Sequence, residues 1–244
     1  MIENGAQVLA LDKDLMTPLH TACRYGSTAV VRLLLSMGAA PDGTTDQRYQ
    51  WRQLVMGWTD TVGRDDVREL AMKMWSPLHY ACGHGDPVLA QLLLDAGANV
   101  EATESQLDQK EELKRAVEEL RLHWDSHKVD EVWSDVRFAS QWVGSPLCLA
   151  VQNGSKTLAA KTLLDRGAQV GTLMGRAELT PLHVACQVRP SAAMVNLLLD
   201  YGAAVDALDS WRCTPLHHAC WHSGEQWTRG NNLEAATVLL QRGA

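Results

Sequence analysis

Thr17-Pro18-Leu19-His20 is the first of five short stretches in which Thr or Ser precedes Pro and Leu, and these stretches decide the fold. The other four begin at Ser76, Ser145, Thr180 and Thr214. A Thr or Ser hydroxyl can accept a hydrogen bond from a free N–H group of the first helical turn. Pro is tolerated at the next position because its missing N–H would be unpaired there. Each stretch therefore predicts the start of a helix.

A Gly-Ala pair follows an apolar segment downstream of every opening, at residues 38–39, 97–98, 167–168, 202–203 and 243–244. Glycine readily adopts the left-handed conformation that ends a helix. Two helices per unit are therefore predicted. The first helices are expected near residues 18–25, 77–83, 146–153, 181–188 and 215–221, and the second near 28–37, 87–96, 157–166, 192–201 and 233–242.

The spacing of the openings indicates a repeat of about 33 residues. Thr180 and Thr214 lie 34 residues apart, and Ser145 precedes Thr180 by 35. The pattern T-P-L-H-x-A, with two helices per unit and a Gly-Ala exit, resembles the ankyrin repeat family over all of the chain except its insertions. The resemblance implies an all-α ankyrin-repeat solenoid of stacked helix-turn-helix units with hairpin loops.

We expect one ankyrin-repeat domain over residues 1–244, part of a longer array or a short product with exposed ends. The units are placed near residues 1–16 (partial), 17–39, 76–101, 145–172, 180–207 and 214–244, with insertions at about 43–74, 103–142 and 223–232. Apolar residues at helical spacing predict helices inside both long insertions.

The charge and hydropathy of the chain argue against nucleic-acid and membrane partners. The formal net charge is −7, and residues 101–135 hold 11 Asp or Glu against 5 Lys or Arg. Nonspecific nucleic-acid binding needs clustered basic residues. No apolar run approaches the length of a membrane span, and residues 1–5 do not begin a signal peptide. We therefore expect an intracellular protein, cytoplasmic or nuclear.

Histidine and cysteine recur together as His-x-x-Cys in four of the five openings, ending at Cys23, Cys82, Cys186 and Cys220. Equivalent groups on stacked helices lie about 8–10 Å apart, farther than a disulfide allows, so we expect buried thiols in a reducing compartment. The same repetition spreads possible zinc ligands along a line, and we predict no metal site. The resemblance implies that the motif His bonds to neighbouring loop backbone.

Catalytic motifs are missing from the sequence, which contains no nucleophile elbow, zinc-protease motif, phosphate-binding loop or dinucleotide fingerprint. We therefore predict no enzyme activity, no cofactor and no small-molecule substrate.

Tryptophan is concentrated outside the repeat framework, and six of nine lie in the long insertions or at their ends. For Trp51, Trp58, Trp75, Trp124 and Trp133 we favour packing against the repeats over partner contact. Trp211 is different, because it matches a hairpin that the resemblance places on the concave face, where partners usually bind. The predicted partner-binding residues are Met16, Arg24, Tyr25, His84, Leu179, Gln187, Trp211, Trp221 and His222.

Some positions depart from the family pattern: Leu15 and Arg212 stand where a hairpin Gly is usual, and Cys148 replaces the motif His. Both long insertions also erase the hairpin before their unit, so the concave face is expected to be interrupted between residues 39 and 145 or covered by inserted helices.

The leading hypothesis is a noncatalytic protein-interaction module or scaffold whose partner is a protein of unknown identity. The alternatives are a structural spacer within a larger array, such as a sensor or a ubiquitin-ligase substrate receptor, and regulation of an attached enzyme. A fold shared by many unrelated binding proteins does not choose between them.

Overall fold

The computed structural model describes residues 7–12, 16–43, 75–101, 144–152, 157–175, 177–188, 191–220 and 232–244. Within these ranges the secondary structure is helical, apart from one isolated antiparallel bridge, so the predicted all-α class is confirmed. The helices are α1 Pro18–Arg24, α2 Thr28–Ser36, α3 Pro77–His84, α4 Pro87–Asp95, α5 Pro146–Gln152, α6 Thr157–Asp165, α7 Pro181–Gln187, α8 Ala192–Asp200, α9 Pro215–Cys220 and α10 Asn232–Gln241.

These bounds agree with the predicted helices to within one residue at each end. The agreement has a local cause at α1, where the Thr17 hydroxyl accepts the His20 N–H at 3.4 Å. In return the Thr17 N–H donates to Nδ1 of His20 at 3.2 Å, so side chains satisfy two otherwise unpaired donors. The helices expected in the insertions, and most of the insertions themselves, lie outside the described residues.

The helix ends also follow the prediction, because the Gly of each exit has a positive φ. The values are 85° at Gly38 and 87° at Gly202, a region in which only Gly avoids a steric penalty. The described helices include none that is both long and apolar enough to pass through a membrane.

The chain divides into two compact units, which are residues 1–80 with 92–143, and residues 81–91 with 144–244. In the second unit the first helices α5, α7 and α9 pack in succession, and so do the second helices α6, α8 and α10. Leu147, Leu163, Leu182 and Leu198 are fully buried between them. The core of this unit is therefore the apolar contact between adjacent repeats.

Consecutive repeats are also joined in the first unit. The Asn99 N–H donates to both carboxylate oxygens of Asp42, at 2.9 and 3.1 Å.

Trp75 stacks on the ring of His79, with ring centroids 6.4 Å apart, and meets Tyr80 edge-on with centroids 5.4 Å apart. The packing role predicted for Trp75 is confirmed, whereas Trp51, Trp58, Trp124 and Trp133 lie beyond the described ranges.

The cysteines of the repeat frame are buried in three of the four cases. Burial raises the pKa of Cys23 and of Cys186 to about 12 and also raises the pKa of Cys82. Cys220 is exposed, so the prediction of a buried thiol is wrong there. α9, the first helix of the following repeat, packs on α7, which carries Cys186. Cys220 lies on α9, and the described residues contain no repeat that follows α9.

Candidate protein-interaction site

Five of the nine predicted contact residues are exposed: Arg24, Tyr25, His84, Gln187 and Trp211. Tyr25 and Trp211 are the most prominent, with 78% and 64% of their surface open to solvent. Arg24 and Tyr25 adjoin at the end of α1, in the first unit, whereas the other three belong to the second unit. Trp221 and His222 fall outside the described residues.

Met16 and Leu179 are buried, with 3% and 8% exposure, and the prediction that they contact a partner is wrong. The Met16 sulfur accepts contacts from the Arg24 guanidinium and the Tyr80 hydroxyl, each at 4.0 Å. Leu179 exchanges two backbone hydrogen bonds with Met174, at 2.8 and 3.0 Å, and its side chain is enclosed. Both side chains belong to the hydrophobic interior of their units.

Trp211 lies on a tight hairpin, residues 209–213, which we call the Trp211 hairpin. The Asp209 N–H donates to the Cys213 carbonyl at 3.0 Å and closes the turn. The Ser210 N–H donates to the carbonyl of Ala177, in the preceding hairpin, at 2.9 Å. The indole is thus an exposed apolar group on a backbone that is fixed from within and from the neighbouring repeat.

The Asp209 carboxylate is the centre of the hairpin and is only 5% exposed. One oxygen accepts the N–H groups of Trp211 and Cys213, at 2.9 and 2.8 Å, and the other accepts Nε2–H of His218 at 2.8 Å. Burial alone would raise the pKa of Asp209. The bonds from His218, Cys213 and Trp211 together outweigh it and hold the pKa below its ordinary value. Asp209 is therefore an ionised carboxylate at neutral pH.

His183 closes the other side of the cluster. Its Nδ1 accepts the Thr180 N–H at 3.2 Å, so Nε2 carries the proton and donates it to the Cys213 carbonyl at 3.1 Å. The rings of His183 and His218 meet edge-on with centroids 5.2 Å apart. Burial is the main cause that lowers the pKa of His183, although hydrogen bonds from the ring to backbone partly oppose it. His183 is therefore neutral, which its bonding pattern also requires.

The ligand atoms of His183, Asp209 and His218 lie within 4.8 Å of one another, a grouping that the sequence analysis missed. The repeat frame relates equivalent positions only, and these three residues occupy non-equivalent positions. The signal for this grouping in the sequence was His218, the second of two adjacent histidines, which lies nine residues after Asp209. A metal ion needs a ring nitrogen with a free lone pair, whereas Nε2 of each ring lies at hydrogen-bond distance from an oxygen, the Cys213 carbonyl for His183 and the Asp209 carboxylate for His218. The geometry is that of a hydrogen-bonded network.

Comparison with known proteins identifies the repeat. A family model described as ankyrin repeats (3 copies) matches residues 1–104 and 134–244. Human Rabankyrin-5 is 28% identical over 188 residues, which are 77% of this chain and 13% of that protein. The Drosophila melanogaster transient receptor potential cation channel subfamily A member 1 is 22% identical over 244 residues, all of this chain and 15% of the channel. The chain spans less than a sixth of the length of these relatives.

Proposed function

Because the chain belongs to the ankyrin-repeat family, as the resemblance predicted, we propose that it is a noncatalytic interaction module that binds a protein partner through its hairpin tips and first-helix ends. Ankyrin repeats are generally protein-interaction modules and typically not enzymes. Their stacked hairpins form extended surfaces whose side chains vary without disturbing the core. The identity of the partner must come from those side chains, since the fold hosts many targets.

The observation that carries this proposal is the exposure of Trp211 on a fixed hairpin. Trp is enriched among residues that dominate binding energy, because a large rigid ring gains much on desolvation and carries one donor. A rigid backbone adds to this gain, since little conformational freedom remains to be lost on binding. Tyr25, on the first unit, is a second exposed aromatic residue of the same kind.

The proposal is tested by affinity capture from a cell extract, quantified by mass spectrometry, with the wild type, Trp211→Ala and Leu158→Ala. Leu158 is the matched control, because it is an exposed apolar side chain on the second helix α6. We expect one or more proteins to be lost with Trp211→Ala and retained with Leu158→Ala. Purified partners should bind Trp211→Ala about 30-fold more weakly, the equivalent of about 2 kcal/mol.

The same partners captured equally by all three proteins, with unchanged thermal stability, would reject Trp211 as an anchor. If Tyr25→Ala also leaves the partners unchanged, the spacer role is favoured. The spacer role is supported by the small share of the long relatives that this chain covers.

We place the protein in the cytoplasm or nucleus, where buried unpaired thiols such as Cys23 and Cys186 stay reduced.

A further inference from the structure

Asp209 and His218 form a pairing that the other repeats with intact hairpins do not have. In the preceding repeat, 34 residues earlier, the corresponding residues are Gly175 and Val184. In the first repeat Asp12 is present and accepts the Met16 N–H at 2.9 Å, but the place of His218 is taken by Thr21. A hairpin of this kind therefore forms without His218, and the addition of His218 needs a separate reason.

His218 occupies a position that holds a buried apolar side chain in the preceding repeat. Val184 is fully buried there, and His218 is only 3% exposed. A buried polar ring loses free energy unless its hydrogen-bonding groups are satisfied. Its Nε2–H is satisfied by the Asp209 carboxylate, which also accepts the backbone N–H of Trp211. The last repeat therefore has a charge-assisted hydrogen bond at the position where the preceding repeat has an apolar contact.

The hairpin above this bond is strained. Arg212 has a φ of 61°, which side chains other than Gly adopt only at a cost, and it directly follows Trp211. The two N–H groups that Asp209 accepts, from Trp211 and Cys213, lie on either side of Arg212. These side-chain bonds supplement the backbone bonds that close the turn, so a turn that loses them has more freedom to relax at Arg212 and to move the indole.

We propose that Asp209 and His218 are positioning residues that hold Trp211 in its binding orientation. His218 fixes the carboxylate, and the carboxylate fixes the backbone on both sides of Arg212. Neither side chain needs to touch the partner, since both are buried. The inference rests on the proposed function of Trp211 and adds to it the two residues that set the geometry of the anchor.

The position of Trp211 is measured without any partner by ¹⁹F NMR of the full chain labelled with 5-fluorotryptophan. The Trp211 resonance is assigned from its absence in Trp211→Phe. His218→Val places in this repeat the residue that the preceding repeat already holds at the same position. We expect the Trp211 resonance to shift or broaden by more than its line width. Asp12→Asn, a change of the equivalent Asp in the first repeat, is the control and should leave that resonance unchanged.

A double variant separates positioning from stability. His218→Val alone leaves a buried carboxylate without one donor, so the melting temperature should fall. Asp209→Gly with His218→Val reproduces the Gly175 and Val184 pair and should recover much of that fall. Affinity for a Trp211-dependent partner should stay at least about tenfold weaker in both variants, because the orientation is not restored.

The proposal is overturned if the Trp211 resonance is unchanged in His218→Val, or if affinity recovers together with stability in the double variant. Zinc present in a one-to-one ratio and lost in His218→Val would also overturn it, because a metal would then replace the proton between the two residues. If no Trp211-dependent partner exists, the proposed function fails. The ¹⁹F result then still decides whether the pair positions the indole.

Discussion

At the scale of single residues, two side chains strain the hairpins that carry them. Glu178 and Arg212 occupy the same repeat position and have φ values of 53° and 61°. A side chain in the left-handed region costs about 1–2 kcal/mol, while a new Gly raises the entropy of the unfolded chain by up to about 1 kcal/mol. We expect Glu178→Gly and Arg212→Gly each to raise the free energy of unfolding by about 0.5 kcal/mol, measured by urea denaturation.

Gln187→Gly is the control for this prediction, because Gln187 is an exposed residue in α7 whose φ is not positive. It should lower the free energy of unfolding by up to about 1 kcal/mol. A loss of stability in both Glu178→Gly and Arg212→Gly would show that the side chains contribute more than the strain costs. The sequence reveals the departure at Arg212, and the positive φ of Glu178 adds the same departure in the preceding hairpin.

At the scale of the helix, the capping histidine of α1 makes stability depend on pH. Burial, partly opposed by Asp12, lowers the pKa of His20 from 6.5 to about 4. His20 of the unfolded chain therefore binds a proton near pH 6.5, whereas His20 of the folded protein binds it only near pH 4. The stability of α1 is complete above about pH 6.5 and falls by about 3 kcal/mol as the pH drops to 4.

Hydrogen exchange of the peptide amides of α1, corrected for the intrinsic rate, measures this fall. His20→Gln is the matched control, because Gln at the third helical position can form the same capping box and does not titrate in this range. The difference between the two proteins isolates His20 from the carboxylates that titrate at the same pH. An identical pH dependence in both proteins would contradict the prediction.

The helices of this chain are predictable because their signals are local. A capping hydroxyl, a Pro at the first position and a Gly with positive φ act within one turn of the helix end, so a single sequence reveals the boundaries. Contacts between repeats are not predictable from such local signals. Met16 is buried because Tyr80 of the next repeat reaches its sulfur. The cluster around Asp209 joins non-equivalent positions of two repeats, which a comparison of equivalent positions cannot show.

At the scale of the whole molecule, exposure is predictable where the chain must turn and burial is harder to place. Trp211 is exposed as expected, because a tight hairpin leaves its tip little room to fold inward. Leu179 lies at the end of the preceding hairpin, at the position that Cys213 holds after Trp211, and is buried where a backbone bridge pairs it with Met174. The two cases differ in their place along the hairpin, so exposure at the tip does not extend to the residue that closes it.

Stacked repeats depend on their neighbours, so damage to one repeat of the second unit should spread. Leu182 in α7 is fully buried, and α7 packs against α5, α8 and α9. Leu182→Ala should cost about 2–5 kcal/mol, and hydrogen exchange should show lost protection in α5 and α9 as well as α7, since stability is shared across repeat interfaces. Leu158→Ala, which removes an exposed side chain, should change neither quantity. Loss of protection confined to α7 would show that the repeats of this unit fold independently.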